Sequence, residues 1–209
     1  MAKVLLLSPP YVPGYMRNAR CDFVSLSNTQ WYPIWLGFAG GWLEQQGHKV
    51  KLLDAPAAKL SPNDVEKEAR EFRPDVIAVY SSTQSRESDG VLADRLLSVL
   101  GCKGIWIGPY VSVAPESYLK ASHRISLAID GEFEFPLAEW VSGQPAKEIR
   151  NMVIKDDDAF FKTEKRDYLT TKELDAIPFV SEFFSRHLDF SHYRTVSEPF
   201  PFMDTMTGR

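Results

Sequence analysis

A doubly wound α/β fold is predicted for this chain, with five parallel strands and helices on both faces of the sheet. Two observations carry that expectation. Short apolar runs without polar alternation, the mark of strands buried on both faces, recur five times in the first two thirds of the 209 residues. Helical patterns separate them, and repeated β-α alternation closes as a parallel sheet. The flavodoxin-like order 2-1-3-4-5 follows, with a ligand crevice beyond the carboxyl ends of the strands, near the switch between strands 1 and 3.

The first strand is KVLLLS (3–8), ended by Pro9 and Pro10. Residues 9–33 form a long loop, and loops of that length in compact domains are usually functional. A helix is predicted over 34–47, with an apolar face of Ile34, Trp35, Phe38, Ala39, Trp42 and Leu43. Gly37, Gly40 and Gly41 cost that helix stability, so close backbone approach is expected there. KVKLL (49–53) is the second strand and runs into Asp54. Ser61-Pro62 is an N-cap followed by proline at N1, and Pro74 stops the helix that follows.

DVIAVY (75–80) is the third strand, with the polar turn Ser81-Ser82-Thr83 after it. A helix over 86–100 turns Leu92, Leu96, Val99 and Leu100 inward and ends at Gly101. The fourth strand is 104–107, followed by Gly108-Pro109-Tyr110 and a short helix over 115–119. The fifth is 125–129, followed by Asp130-Gly131-Glu132 and a last helix over 133–142. Residues 151–163 read as a hairpin, 162–179 as a charged connector, 181–188 as a short helix and 200–209 as an apolar strand. The division is therefore 1–145 for the sheet domain and 146–209 for the hairpin, the connector and the start of a further domain. The apolar side chains Phe183, Phe184, Phe200, Phe202, Met203 and Met206 are expected to pack back on the first domain or on a neighbouring molecule.

Composition excludes several classes. The net charge of −4 argues against a nucleic-acid binder. No uncharged apolar run reaches the ~18 residues of a membrane span, and the two cysteines, Cys21 and Cys102, form no disulfide framework, so a cytoplasmic setting is expected. The loops exclude others. Ser8-Pro9-Pro10 lacks the carboxylates of a phosphorylatable receiver, and its prolines have no N–H for a phosphate cradle. Neither a G-x-G-x-x-G fingerprint nor a G-x-S-x-G elbow is present. What remains at the carboxyl edge is small and polar: the hydroxyls of Ser81, Ser82 and Thr83, a turn at Gly108, and Gly131-Glu132 at a helix start. That edge suits a large flat cofactor bound by shape and backbone.

Read in order, KVLLLSPPY, PIWLGFAGGWLEQQGHKVKLLDA, RPDVIAVYSST, IWIGPYVSVAPE, LAIDGEFEFPLAEWV and LDAIPF resemble the amino-terminal part of cobalamin-dependent radical SAM enzymes, the class of the anaerobic magnesium-protoporphyrin monomethyl ester cyclase. The resemblance implies a Rossmann-like cobalamin-binding domain. In the parent protein it implies a following partial barrel with a [4Fe–4S] cluster and S-adenosylmethionine. The C-x-x-x-C-x-x-C motif for that cluster is not in this sequence, so the chain is expected to be a piece that stops before it and to be inactive alone. The D-x-H-x-x-G run that ligates cobalt in methyltransferases is replaced by SPPYVPGY. Base-off cobalamin with no protein imidazole is implied, contacted by Pro10, Tyr11, Ser81, Ser82, Thr83, Gly108, Pro109, Tyr110, Gly131, Glu132 and Glu134. Trp31 is a further candidate to cover the corrin. The four histidines read as exposed or structural, and no metal-ligating cluster is evident. A non-catalytic small-molecule or protein-interaction domain on the same scaffold stays open beside the cofactor module.

Overall fold

The computed structural model describes residues 1–18 and 21–205. β1 (Lys3–Ser8) leads into a covering loop that contains a small antiparallel hairpin of β2 (Tyr15–Met16) and β3 (Phe23–Val24). Then come α1 (Ile34–Gln45), β4 (Lys49–Asp54), α2 (Pro62–Phe72), β5 (Val76–Tyr80), α3 (Arg86–Leu100) and β6 (Lys103–Ile107). The turn after β6 winds into α4 (Pro109–Val113) and α5 (Pro115–Ala121), followed by β7 (Leu127–Ile129) and α6 (Glu134–Val141). β8 (Met152–Asp156) and β9 (Ala159–Lys162) make a hairpin, and α7 (Thr171–Ala176) and α8 (Val180–His187) follow.

The main sheet has the order β4-β1-β5-β6-β7-β8-β9. Its first five strands are parallel and reproduce the expected 2-1-3-4-5 arrangement. The strand count differs: there are seven, because β8 pairs antiparallel with β7 and carries β9 with it. Met152 and Val153 are fully buried in that extension. The apolar run that read as a separate hairpin is thus used to cover the sheet's open edge, where unpaired N–H and C=O groups would otherwise face outward.

Alternation along the strands divides the core in two. Val4, Leu6, Val50, Leu52, Ala78 and Ile105 point to the face carrying α1, α6 and α8. Leu5, Leu7, Leu53, Ile77, Val79 and Trp106 point to the face carrying α2, α3 and α5. A strand whose successive side chains serve opposite cores must be apolar throughout. Local chemistry sets the helix ends. Ser61 and Asp64 form a reciprocal capping box at α2, with Pro62 at N1, and Gly101 closes α3 in the left-handed conformation.

Two sequence expectations are corrected on the α1 face. The buried stripe of α1 is Leu36, Gly37, Ala39, Gly40, Gly41 and Leu43, while Ile34, Trp35, Phe38 and Trp42 are half-buried at its rim. The reason is α8: Val180, Phe183 and Phe184 dock on the glycine face of α1 and join the core. A Cβ at Gly40 would lie 2.1 Å from Phe183 Cζ, and one at Gly37 would lie 2.6 Å from Phe184 Cζ. The close backbone approach expected at these glycines is instead a side-chain insertion. Of the C-terminal apolar side chains, Phe200 is exposed, Phe202 and Met203 are partly buried against the same core, and Phe183 and Phe184 do pack back on the domain. His187, expected to be exposed, is drawn in with them: it stacks on Phe183 at 4.1 Å and its Nε2 lies 2.8 Å from Glu44 Oε1. His48 is likewise largely buried, with Nε2 3.1 Å from Ser142 Oγ. The expected last strand is not formed over residues 200–205, where Phe202 instead gives its carbonyl to the Tyr32 hydroxyl at 2.9 Å. Its remaining residues, Met206 to Arg209, lie outside the described residues.

Candidate functional site

All carboxyl ends of the parallel strands meet at one edge, and the loop after β1 folds back over it. Buried polar contacts hold that loop down. Arg17 is 1 % exposed. Its Nη1 donates to the Pro9 carbonyl at 2.7 Å and to Ser8 Oγ at 3.2 Å. Its Nη2 donates to Ser85 Oγ at 2.8 Å and pairs with Asp89 Oδ2 at 3.2 Å. Asp89 Oδ2 also accepts from Ser81 Oγ at 2.7 Å and Ser85 Oγ at 2.6 Å. Burial pushes the Asp89 carboxyl up, while Arg17 and the two serines oppose that shift. A buried guanidinium and carboxylate are tolerated here because hydrogen bonds meet most of their remaining demands.

A second chain of contacts runs through the β2–β3 hairpin. The Tyr15 hydroxyl donates to Asp22 Oδ2 and lies 2.6 Å from Ser82 Oγ, which in turn lies 2.8 Å from Ser85 Oγ. Asp22 N donates to the Tyr110 hydroxyl at 3.1 Å. Burial, with Asp22 beside it, pushes the Tyr15 hydroxyl above the ordinary phenol range, so it remains a donor. Burial works against ionisation of Asp22, yet hydrogen bonds from Tyr15 and Tyr110 hold its carboxyl below the usual carboxylate range. On the β4 side, Asp54 Oδ2 accepts from Asn18 at 3.0 Å and from the Tyr193 hydroxyl at 3.2 Å. Burial raises Asp54 to about 6, against the pull of Tyr193 and Arg17.

The structure places the sequence-predicted residues unequally. Ser81 and Ser82 are fully buried and spend their hydroxyls on Asp89, Tyr15 and Ser85. Thr83 and Pro109 are exposed, and Pro10, Tyr110 and Gly131 are half-buried. Gly108 has φ +118°, and a Cβ there would sit 2.9 Å from the Tyr80 ring. The space the glycine leaves is therefore filled by Tyr80, and a bulky substitution would strain the fold as well as the edge. Ser112 ties two turns together: its Oγ donates to the Gly108 carbonyl at 3.1 Å and accepts from Gly131 N at 2.8 Å. Glu132 faces the connector, with Oε2 accepting from Leu169 N at 3.0 Å. Glu134 is fully buried in the first turn of α6, where a carboxylate is favoured by the helix dipole. Tyr11 is exposed on the covering loop, along with Val12, Phe23, Val24 and Trp31.

Between the covering loop, the turn after β4 and residues 191–194 lies an open cavity of about 520 Å³. Pro10 and Tyr11 line one wall. His192 also lines it, so the structure brings an imidazole to the edge although the loop after β1 contains none.

Sequence reasoning missed Arg17, Asp22, Asp54, Ser85 and Asp89. One signal was present: Asp89 lies three residues before Leu92, on the inward stripe of α3, and a carboxylate on such a stripe demands a buried partner. Arg17 sits in an irregular loop, where no periodicity marks which side chain turns inward.

Comparison with known proteins adds the following. The family model of the B12 binding domain matches residues 21–140. A curated relative, the uncharacterized methyltransferase PH0819 of Pyrococcus horikoshii, is 24% identical over 146 residues, covering 66% of this chain and 28% of that protein. Among solved structures, the cobalamin-dependent S-adenosylmethionine radical enzyme OxsB, with aqua-cobalamin and S-adenosylmethionine bound, superposes with a TM-score of 0.67. It is 15% identical and covers 88% of this chain and 25% of that one. The radical S-adenosylmethionine methyltransferase TsrM of Kitasatospora setae, with cobalamin and a [4Fe-4S] cluster bound, gives a TM-score of 0.59. It is 15% identical and covers 81% of this chain and 30% of that one. The chain thus spans under a third of the length of each of these proteins.

Proposed function

The chain belongs to the B12 binding domain family, and from that premise we propose that it holds cobalamin base-off across the carboxyl edge of its sheet, with no protein imidazole on cobalt. The observation that carries this reading is the convergence of the edge turns. The matched segment contains the turns at 81–85, 108–110 and 131–134, and the parallel sheet sets all three at one end, with the covering loop tied to Ser82, Ser85 and Tyr110 beside them. The residues present suit a broad flat ring with an amide rim. Tyr11, Val12, Phe23, Val24 and Trp31 offer exposed apolar surface, and Thr83 and the turn backbones offer hydrogen-bonding groups around it.

Bound cobalamin supplies a cobalt centre that can carry and release an alkyl group. The chain's own residues would position it: Tyr11 and Pro10 would face it from the covering loop, Thr83, Pro109, Tyr110 and Gly131 would contact it along the sheet edge, and Glu134 would hold the start of α6. Ser81, Ser82 and Gly108 act from behind, as the floor that fixes these turns, and Glu132 anchors the connector beside them. Residues 1–145 carry these contacts. In a longer protein, this module would serve a radical SAM domain with its [4Fe–4S] cluster and S-adenosylmethionine, in methyl transfer or in a radical rearrangement or cyclisation. Incubation with hydroxocobalamin followed by gel filtration tests the reading: cobalamin absorbance should travel with the protein. A colourless protein peak would favour a non-catalytic interaction domain instead.

A further inference from the structure

We propose that the 520 Å³ cavity at the β4 flank of the edge binds a phosphate group, held by Arg194, Lys59 and His192. This deepens the cobalamin reading by naming a ligand chemistry next to Pro10 and Tyr11. The charge around the cavity carries the inference. The chain has a net charge of −4, yet the described residues lining this cavity include Lys59, His192 and Arg194 and no aspartate or glutamate. A basic concavity on an acidic molecule concentrates an anion that the rest of the surface repels.

The three basic residues come from fixed backbone. Gln30 N donates to the Arg194 carbonyl at 2.8 Å and Arg194 N to the Gln30 carbonyl at 3.1 Å, which pins the C-terminal segment to the covering loop. Lys59 sits in a tight turn closed by Leu60 N donating to the Ala55 carbonyl at 2.9 Å. His192 closes a short 3₁₀ turn, and its acidic neighbour is Asp189, with Oδ2 3.8 Å from Nε2. The rest of the wall is uncharged, with apolar residues such as Pro10, Pro13, Ala57 and Leu60 beside the polar Asn28, Gln30, Ser61 and Ser191. Such a wall suits a phosphate attached to an uncharged body, and the volume falls in the range of small-molecule sites. Two sources share this chemistry: the phosphodiester of the cobalamin nucleotide tail, and a separate phosphorylated small molecule.

Calorimetric titration of the 209-residue chain with inorganic pyrophosphate, hydroxocobalamin and cobinamide, which lacks the nucleotide tail, separates them. The variants are Lys59→Glu and Arg194→Glu, both at exposed positions, with circular dichroism melts to show that each folds. Loss of pyrophosphate affinity by about tenfold per reversal supports a separate phosphorylated ligand. Collapse of the preference for cobalamin over cobinamide supports the nucleotide phosphate. If folded variants leave both quantities unchanged, the proposal is overturned. A wild-type chain that binds no cobalamin refutes the cofactor reading, and the pyrophosphate titration still decides this one.

Discussion

Gly40 and Phe183 are coupled by contact, since a methyl group on one would occupy the ring of the other. Gly40→Ala should therefore destabilise the chain by about 1–3 kcal/mol, as overpacking does. In a Phe183→Ala background the same change should become neutral or mildly stabilising, because only the helix preference for alanine remains. Urea melts of the four proteins measure this; additive effects would refute the insertion of Phe183 into α1. Asp54 makes a pH prediction. Its carboxyl is raised to about 6 by burial, so between pH ~4 and ~6 the native state holds a proton that the unfolded chain has released. Stability should fall as pH rises through that window, by about 3 kcal/mol in total from this group, and stay level above it. Asp54→Asn should flatten that slope relative to wild type in a denaturation series. An unchanged slope would place the titration elsewhere. The strand before Asp54 was legible in the sequence; its burial was not, because Asn18 and Tyr193 reach it from distant segments.

At the scale of elements, the covering loop depends on Arg17. Removing one partner of a fully buried ion pair costs about 3–5 kcal/mol, so Arg17→Met should loosen residues 9–33 and speed their cleavage in limited proteolysis. The loss should shrink as pH falls, because Asp89, already raised by burial, can take a proton in place of its partner. Pairing Arg17→Met with Asp89→Leu should recover part of the stability; an unrelieved double variant would argue that Ser8, Pro9 and Ser85 carry the contact instead. The five parallel strands and their order were legible because strands buried on both faces need unbroken apolar runs. The hairpin was legible too, but not its partner: nothing in MVIKD says that β7 is the edge it will join. The same limit applied at the site. The turns after β5, β6 and β7 could be read from their small residues, whereas the inward turn of Tyr15, Arg17 and Asp22 depends on an irregular loop path.

For the whole molecule, the C-terminal segment is part of the folded unit. Val180, Phe183 and Phe184 are at most 2 % exposed, and Tyr193 reaches Asp54. A chain ending before residue 180 would uncover the glycine face of α1, at roughly 1.5–3 kcal/mol for each large side chain no longer buried. Its Tm should fall and its tendency to self-associate should rise, as sedimentation velocity would show; an equally stable truncated monomer would mean that α8 is dispensable. The central claim is that the covered carboxyl edge of this sheet holds base-off cobalamin. Titration of the chain with cob(II)alamin, followed by electron paramagnetic resonance, tests it most directly. Stoichiometric binding with a cobalt signal free of nitrogen superhyperfine splitting is the expected result, unchanged in His192→Ala. Absence of binding, or a nitrogen-split signal that His192→Ala abolishes, would contradict it.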